Sequence, residues 1–326
     1  MQTYQPSAAV PAIPNAILGG NAAIGTARWA ASRPIGRRAS PLAAYLSLPK
    51  PRVVALILFT SAVASIAAAR GMPPAGTLLL LLLSGALAAG GAATLNQFFD
   101  RHADRLMART RRRPLVTGLV PHPSLVLLAG VVAVVSGVAL AAIASPLLAL
   151  FEGVGAFVYV VVYTLWLKRR TVLNIVIGGL AGSAAVLGGW VVVDPGLGLT
   201  PWLMATLVFV WTPAHFWSLA VARRADYEQA ALPMLPVIVG PRRAAWWILV
   251  HIVATVAFSA WVGLAAGLGS LYFGPALLAA AVFLGAGVHL WRRPEPAAGW
   301  QLFKLSGVYL AIIFVGILVD TLAHPI

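Results

Sequence analysis

The chain alternates between long apolar runs and short polar segments, and the apolar runs are of bilayer length. A helix needs about 20 mainly apolar residues to cross a membrane. Nine stretches meet that requirement: 52–69, 76–99, 122–144, 146–167, 172–193, 200–222, 244–266, 271–291 and 302–322. Only Ser145-Pro146 parts the third from the fourth, which predicts a tight turn. From Ala244 to Trp291 no Asp, Glu, Lys or Arg interrupts the chain, a run too long for one crossing. Gly267, Gly269, Ser270 and Pro275 supply the break. The expected fold is all-α: a polytopic membrane protein built as a bundle of nine transmembrane helices.

Charge placement tests that count independently, because cytoplasmic loops collect Lys and Arg. With the N-terminus inside, one membrane face receives Arg28, Arg33, Arg37, Arg38, Lys50 and Arg52, then the arginines from Arg101 to Arg113. It also receives Lys168 to Arg170, Arg223, Arg224, Arg242, Arg243, Arg292, Arg293 and Lys304. Only Arg70 falls on the other face. A missed or spurious helix would scramble this alternation. The N-terminus is therefore expected in the cytoplasm and the C-terminus outside.

Composition narrows the class further. Sixty per cent of the residues are hydrophobic and ten per cent charged, which excludes a soluble domain. The net charge of +15 is spread over loops as orientation signals, so nucleic acid is not expected as a partner; the lipid bilayer is. Cysteine is absent, which removes disulfides, thiolate nucleophiles and zinc-thiolate sites. Residues 1–41 read as a disordered basic cytoplasmic tail and 42–326 as the intramembrane domain. Pro11, Pro14 and Pro34 and the scarcity of serine argue against a mitochondrial transit peptide. A bacterial cytoplasmic membrane is expected, ahead of the mitochondrial inner membrane.

Candidate chemistry begins where acids appear. There are eight against 23 Lys and Arg, and two of the eight, Asp100 and Asp104, close the second apolar run. Ionisable groups in or beside lipid usually mark function. Four residues advance a helix by about 400°, so Asn96, Asp100 and Asp104 form one oxygen-bearing stripe. Hard oxygen ligands with arginines close behind suit Mg²⁺ carrying a diphosphate. A second helix end on the same face, Trp211 to Glu228, delivers Asp226, Glu228 and two arginines; Asp226 is the candidate there and Glu228 an ordinary loop residue. His215 is a candidate binding residue or a core contact. Glu152 has no assigned role, and His251 and His289 are read as structural.

These residues resemble a known family. The run Asn96-x₃-Asp100-x₃-Asp104-x₂-Met107-x-Arg109-Thr110-x₂-Arg113-Pro114 is similar to the first signature of UbiA-type intramembrane prenyltransferases, and within them of the heme-farnesylating branch. Tyr45 to Arg52, Tyr163 to Arg169, Trp211-Thr-Pro-x-His215-Phe-Trp217 and Asp226-Tyr227 to Pro236 agree in order. The likeness runs from about residue 42 to about 320. Ala230, where quinone-type relatives place a second acid, favours the heme branch. Ala214 and Gly182-Ser183-Ala184-Ala185 each lack a proline usual in the pattern, which puts the shape of the heme-side cavity in doubt.

The resemblance implies transfer of farnesyl from farnesyl diphosphate to a vinyl group of heme B, with addition of water. It implies Mg²⁺ on Asn96, Asp100, Asp104 and Asp226, the three aspartates being the catalytic residues. Lys50, Arg109, Arg113 and Lys168 are implied to hold the diphosphate, and Phe99, Tyr163, Trp211 and His215 to line the heme or prenyl pocket. A sibling activity on an aromatic acid or quinone precursor is the alternative. A transporter would place acids near the midplane and show inverted repeats, and neither is seen.

Overall fold

The computed structural model describes residues 40–324, so the tail expected over 1–41 lies almost wholly outside the described residues. Among the described residues nine helices are long and apolar enough to cross a membrane: Leu42–Ala69, Ala75–Leu106, Pro123–Ala144, Pro146–Leu167, Asn174–Val191, Leu199–Ala222, Pro241–Ala265, Ser270–Arg292 and Pro296–Ala323. They are called here the first to the ninth span. Every expected span is present, and no strand occurs among the described residues.

Local chemistry sets the ends. Proline opens the helices at Pro51, Pro123, Pro146, Pro241 and Pro296, where its missing N–H would be unpaired in any case. Ser145 leaves the third span in extended conformation and accepts from Leu148 N at 3.4 Å, making the predicted turn. Two spans depart from simple α-helix. The first is interrupted at Ser47–Lys50, between helices Pro41–Leu46 and Pro51–Ala69. The fourth changes from α-helix at Pro146–Phe157 to π-helix at Val158–Leu167.

The sixth span is the most buried of the nine and packs against the fifth, seventh and ninth. The third, fourth and eighth spans turn most of their surface outward, as do Leu79, Leu83, Leu128 and Val135, which suits contact with lipid. Apolar surface gains little by helix association inside lipid, so close backbone approach must hold the bundle. Gly189 provides it between the fifth and first spans, where any Cβ would collide with the Ser61 carbonyl. Gly91 provides it between the second and third, where a Cβ would lie 2.7 Å from Gly130 O.

Two remote acids also tie helices together. Ser84 Oγ donates to Glu152 Oε1 at 2.7 Å, joining the second and fourth spans and giving Glu152 a partner that the sequence did not suggest. Gly269 N donates to Asp320 Oδ2 at 2.7 Å, so the ninth span caps the start of the eighth. Because the spans alternate in direction, the C-terminal ends of the second, fourth, sixth and eighth gather at one face of the bundle.

Candidate active site

The second span runs on to Leu106, several residues past the apolar run, and carries Asn96, Asp100 and Asp104 as one buried row. Each of the three is at most 3% exposed, a depth at which a charge must be paired. Lys168 Nζ donates to Asp100 Oδ2 at 2.5 Å. Arg113 Nη1 donates to Asp104 Oδ2 at 2.6 Å. Asn96 joins the parts: its Nδ2 donates to Asp100 Oδ2 and to Thr164 Oγ1, both at 2.9 Å, while its Oδ1 accepts from Lys50 Nζ at 2.5 Å. Lys50 also donates to Tyr159 OH at 3.1 Å. A continuous chain Lys50–Asn96–Asp100–Lys168 thus links the first, second and fourth spans.

Lys50 is placed by a strained turn. Flanked by Pro49 and Pro51, it adopts φ 53°, a left-handed conformation that non-glycine residues take at a cost. Gln97, next to Asn96, donates from Nε2 to Ser47 O and Leu48 O at 3.1 and 2.8 Å and holds that turn against the second span.

The π-helix places the fourth span's contributions. Five residues turn an α-helix by about 500°, leaving i and i+5 some 140° apart, whereas i→i+5 bonding stacks them. Thr164 Oγ1 donates to Tyr159 O at 2.7 Å, and Lys168 N to Tyr163 O at 2.9 Å. Tyr159 and Tyr163 stack at 5.9 Å, and Lys50 and Lys168 lie over their rings at 5.8 and 5.6 Å. Tyr159, Thr164 and Gln97 are site residues that sequence reasoning missed. For Tyr159 and Thr164 the five-residue spacing was the only signal, and α-helical periodicity hides it; Gln97 gave none.

Lys168 and Arg113 each pair with a carboxylate, and Lys50, bonded to Asn96 and Tyr159, adds an amine donor with no carboxylate of its own. Burial opposes the Lys168 charge, but Tyr163 and the Asp100 carboxylate raise its pKa above the ordinary lysine value. Arg109, just past the second span, is exposed and makes no hydrogen bond or ion pair among the described residues. Phe99 packs beside Tyr159 against Ala92, Leu95 and Val160.

On the sixth span, His215 lies between Trp211 and Phe303, each 4.4 Å from it by ring centroid. Its Nδ1 is 2.7 Å from Ser306 Oγ, and Ser306 gives its one proton to Phe303 O at 2.8 Å. His215 Nδ1 is then the donor, and Nε2 keeps a free lone pair. Trp211 Nε1 donates to Ser306 O at 2.8 Å, fixing the sixth span to the ninth. A glycine contact joins this group to the cluster on the second and fourth spans: Gly178 receives the Tyr163 ring, and Gly179 faces Thr212.

Asp226 lies in the short helix Arg224–Gln229 that follows the sixth span. Its Oδ2 is buried without a hydrogen-bonding partner, beside a cavity of about 430 Å³ that Arg223, Glu228 and Pro296 also line. Glu228 pairs with Arg224 at 2.7 Å on the exposed side. Nothing among the described residues bonds Asp226 to Asp100 or Asp104, and no three His, Cys, Asp or Glu stand together as a metal cage. The donor set nonetheless suits a hard cation. Asp100 and Asp104 each keep Oδ1 free of hydrogen bonds among the described residues, and Asp226 has an orphaned oxygen. Mg²⁺ characteristically uses one or two carboxylates and takes its other ligands from water and phosphate.

The chain is similar to known proteins over most of its length. The UbiA prenyltransferase family profile matches residues 57–313. The chain is 40% identical over 278 residues to a protoheme IX farnesyltransferase of Desulforudis audaxviator (strain MP104C), covering 85% of this chain and 88% of that one. It is 44% identical over 281 residues to protoheme IX farnesyltransferase 1 of Paramagnetospirillum magneticum (strain ATCC 700264 / AMB-1), covering 85% and 97%. Among solved structures, a digeranylgeranylglyceryl phosphate synthase superposes with a TM-score of 0.73 at 14% identity, over 87% of this chain and 99% of that one. A UbiA homolog from Archaeoglobus fulgidus bound to DMAPP and Mg²⁺ superposes at 0.60 with 20% identity, over 85% and 99%. This chain is a member of the UbiA prenyltransferase family.

Proposed function

We propose that the protein transfers a farnesyl group from farnesyl diphosphate to a vinyl carbon of heme B, with water adding to the neighbouring carbon, and releases diphosphate. The observation that carries this reading is the buried Lys50–Asn96–Asp100–Lys168 chain with the Asp104–Arg113 pair beside it, which sets three basic side chains around two carboxylates. The relatives named for protoheme IX farnesylation supply the substrates.

The difficult step is breaking the allylic C–O bond, because the leaving diphosphate gains charge. Lys50 and Lys168 bring amine donors to the leaving diphosphate, and Arg113 brings a guanidinium suited to two-pronged phosphate contact. Arg109, exposed at the end of the second span, completes the grip from the aqueous side. Bound Mg²⁺ would supply the largest charge stabilisation, held by Asp100 and Asp104 with Asn96, and from the other helix pair by Asp226. Asn96 keeps Lys50 and Asp100 in register throughout.

The allylic cation that forms needs a dry surface that does not quench it. Tyr163, Phe99 and Trp211 offer ring faces, each worth about 2 kcal/mol to a desolvated cation. His215 Nε2 is available to the heme, and the site lies on the cytoplasmic side, where soluble diphosphates and Mg²⁺ are found. Residues 42–326 form the prenyltransferase domain, preceded by a basic tail.

The test is product mass. Purified protein given farnesyl diphosphate and Mg²⁺ should convert heme B to its hydroxyethylfarnesyl product and leave hydroxybenzoate unchanged. Prenylated hydroxybenzoate with untouched heme would replace this reading with that of a sibling enzyme.

A further inference from the structure

At the same bundle face, well apart in sequence from the acidic motifs, the start of the seventh span and the end of the eighth form a second basic surface. A cavity of about 490 Å³ opens there, lined by Val239, Arg242, Arg243, Trp246, Trp247 and Trp291. Arg292 and Arg293 follow directly on the eighth span. None of these four arginines forms an ion pair among the described residues, and all four are exposed. Trp246 and Trp291 approach to 5.8 Å between ring centroids across the two helices. Each of the three indoles is between 38% and 50% exposed, a large apolar area to leave beside unpaired cations.

We infer that this cavity binds the headgroup of an anionic phospholipid. A basic pocket between transmembrane helices at the interface is the arrangement that holds such headgroups. The arginines match a phosphate by charge and by their two-pronged geometry. The three tryptophans distinguish the lipid from a free anion: indoles prefer the zone between headgroup and acyl chain, and a soluble phosphate gains nothing from them. Below the pocket, Val250 and Val253 continue the exposed apolar strip of the seventh span, a path along which an acyl chain can lie.

Native mass spectrometry of the full chain, released from bilayer discs of mixed phosphatidylglycerol and phosphatidylcholine, tests the assignment. The wild type should retain one phosphatidylglycerol in marked preference to phosphatidylcholine. Arg242→Gln with Arg243→Gln should weaken retention about fivefold for each arginine, and the Lys pair should keep part of it. Trp246→Ala should weaken retention with the charges intact. A thermal melt of each variant identifies any that fails to fold, in which case the Lys pair and Trp246→Ala carry the comparison. Equal retention of both lipids, unchanged retention in the variants, or inorganic phosphate displacing the lipid at millimolar concentration would overturn the inference.

Discussion

Asp100 pairs with the buried Lys168 and, in the proposed function, also offers its free oxygen to a cation. Asp100→Asn removes both, and turnover should fall 10²–10³-fold, the range for losing one preorganised electrostatic group; steady-state diphosphate release measures it. Tyr159→Phe removes only the bond to Lys50. It should cost about 1 kcal/mol, close to fivefold in the same assay. Arg113→Ala should raise KM for farnesyl diphosphate more than Arg109→Ala does, because Arg113 is already placed by Asp104 and Arg109 must move in from solvent. The acids and cations were legible in the sequence because rare polar residues at helical spacing stand out against lipid-facing runs. Tyr159, Thr164 and Gln97 were not, since a phenol, a hydroxyl and an amide look ordinary until the backbone aims them.

Individual elements divide in the same way. Span number and span centres could be read from hydropathy and proline, because bilayer thickness imposes length and Pro opens helices. The π-helical half of the fourth span was hidden, because tertiary bonds to Asn96 and Asp100 hold Val158–Leu167 in a winding that no local pattern announces. Gly189 shows how closely the backbones meet. Gly189→Ala drives a methyl into the Ser61 carbonyl and should cost about 1–3 kcal/mol. Gly285→Ala meets nothing within 4 Å and should stay within about 0.5 kcal/mol of wild type. Thermal melts in detergent compare them.

Across the whole molecule, alternation of the spans gathers the acidic helix ends at one face, which charge counting leads us to propose is the cytoplasmic one. The absence of cysteine makes the assignment easy to test. In intact cells an impermeant maleimide should label Asp194→Cys, between the fifth and sixth spans, and leave Thr117→Cys untouched. The opposite pattern would invert the topology. Assembly of the site from spans far apart in sequence lay beyond motif reading, which gave the pieces without their bonds to one another. The central claim is that this assembly uses a divalent cation to pull diphosphate from an isoprenoid. The most direct measurement is farnesyl-heme formation by the purified protein with Mg²⁺, with a chelator, and with Asp100→Asn. Product with Mg²⁺ alone, and loss in the other two, is the predicted result; undiminished product with chelator or with the variant would contradict it.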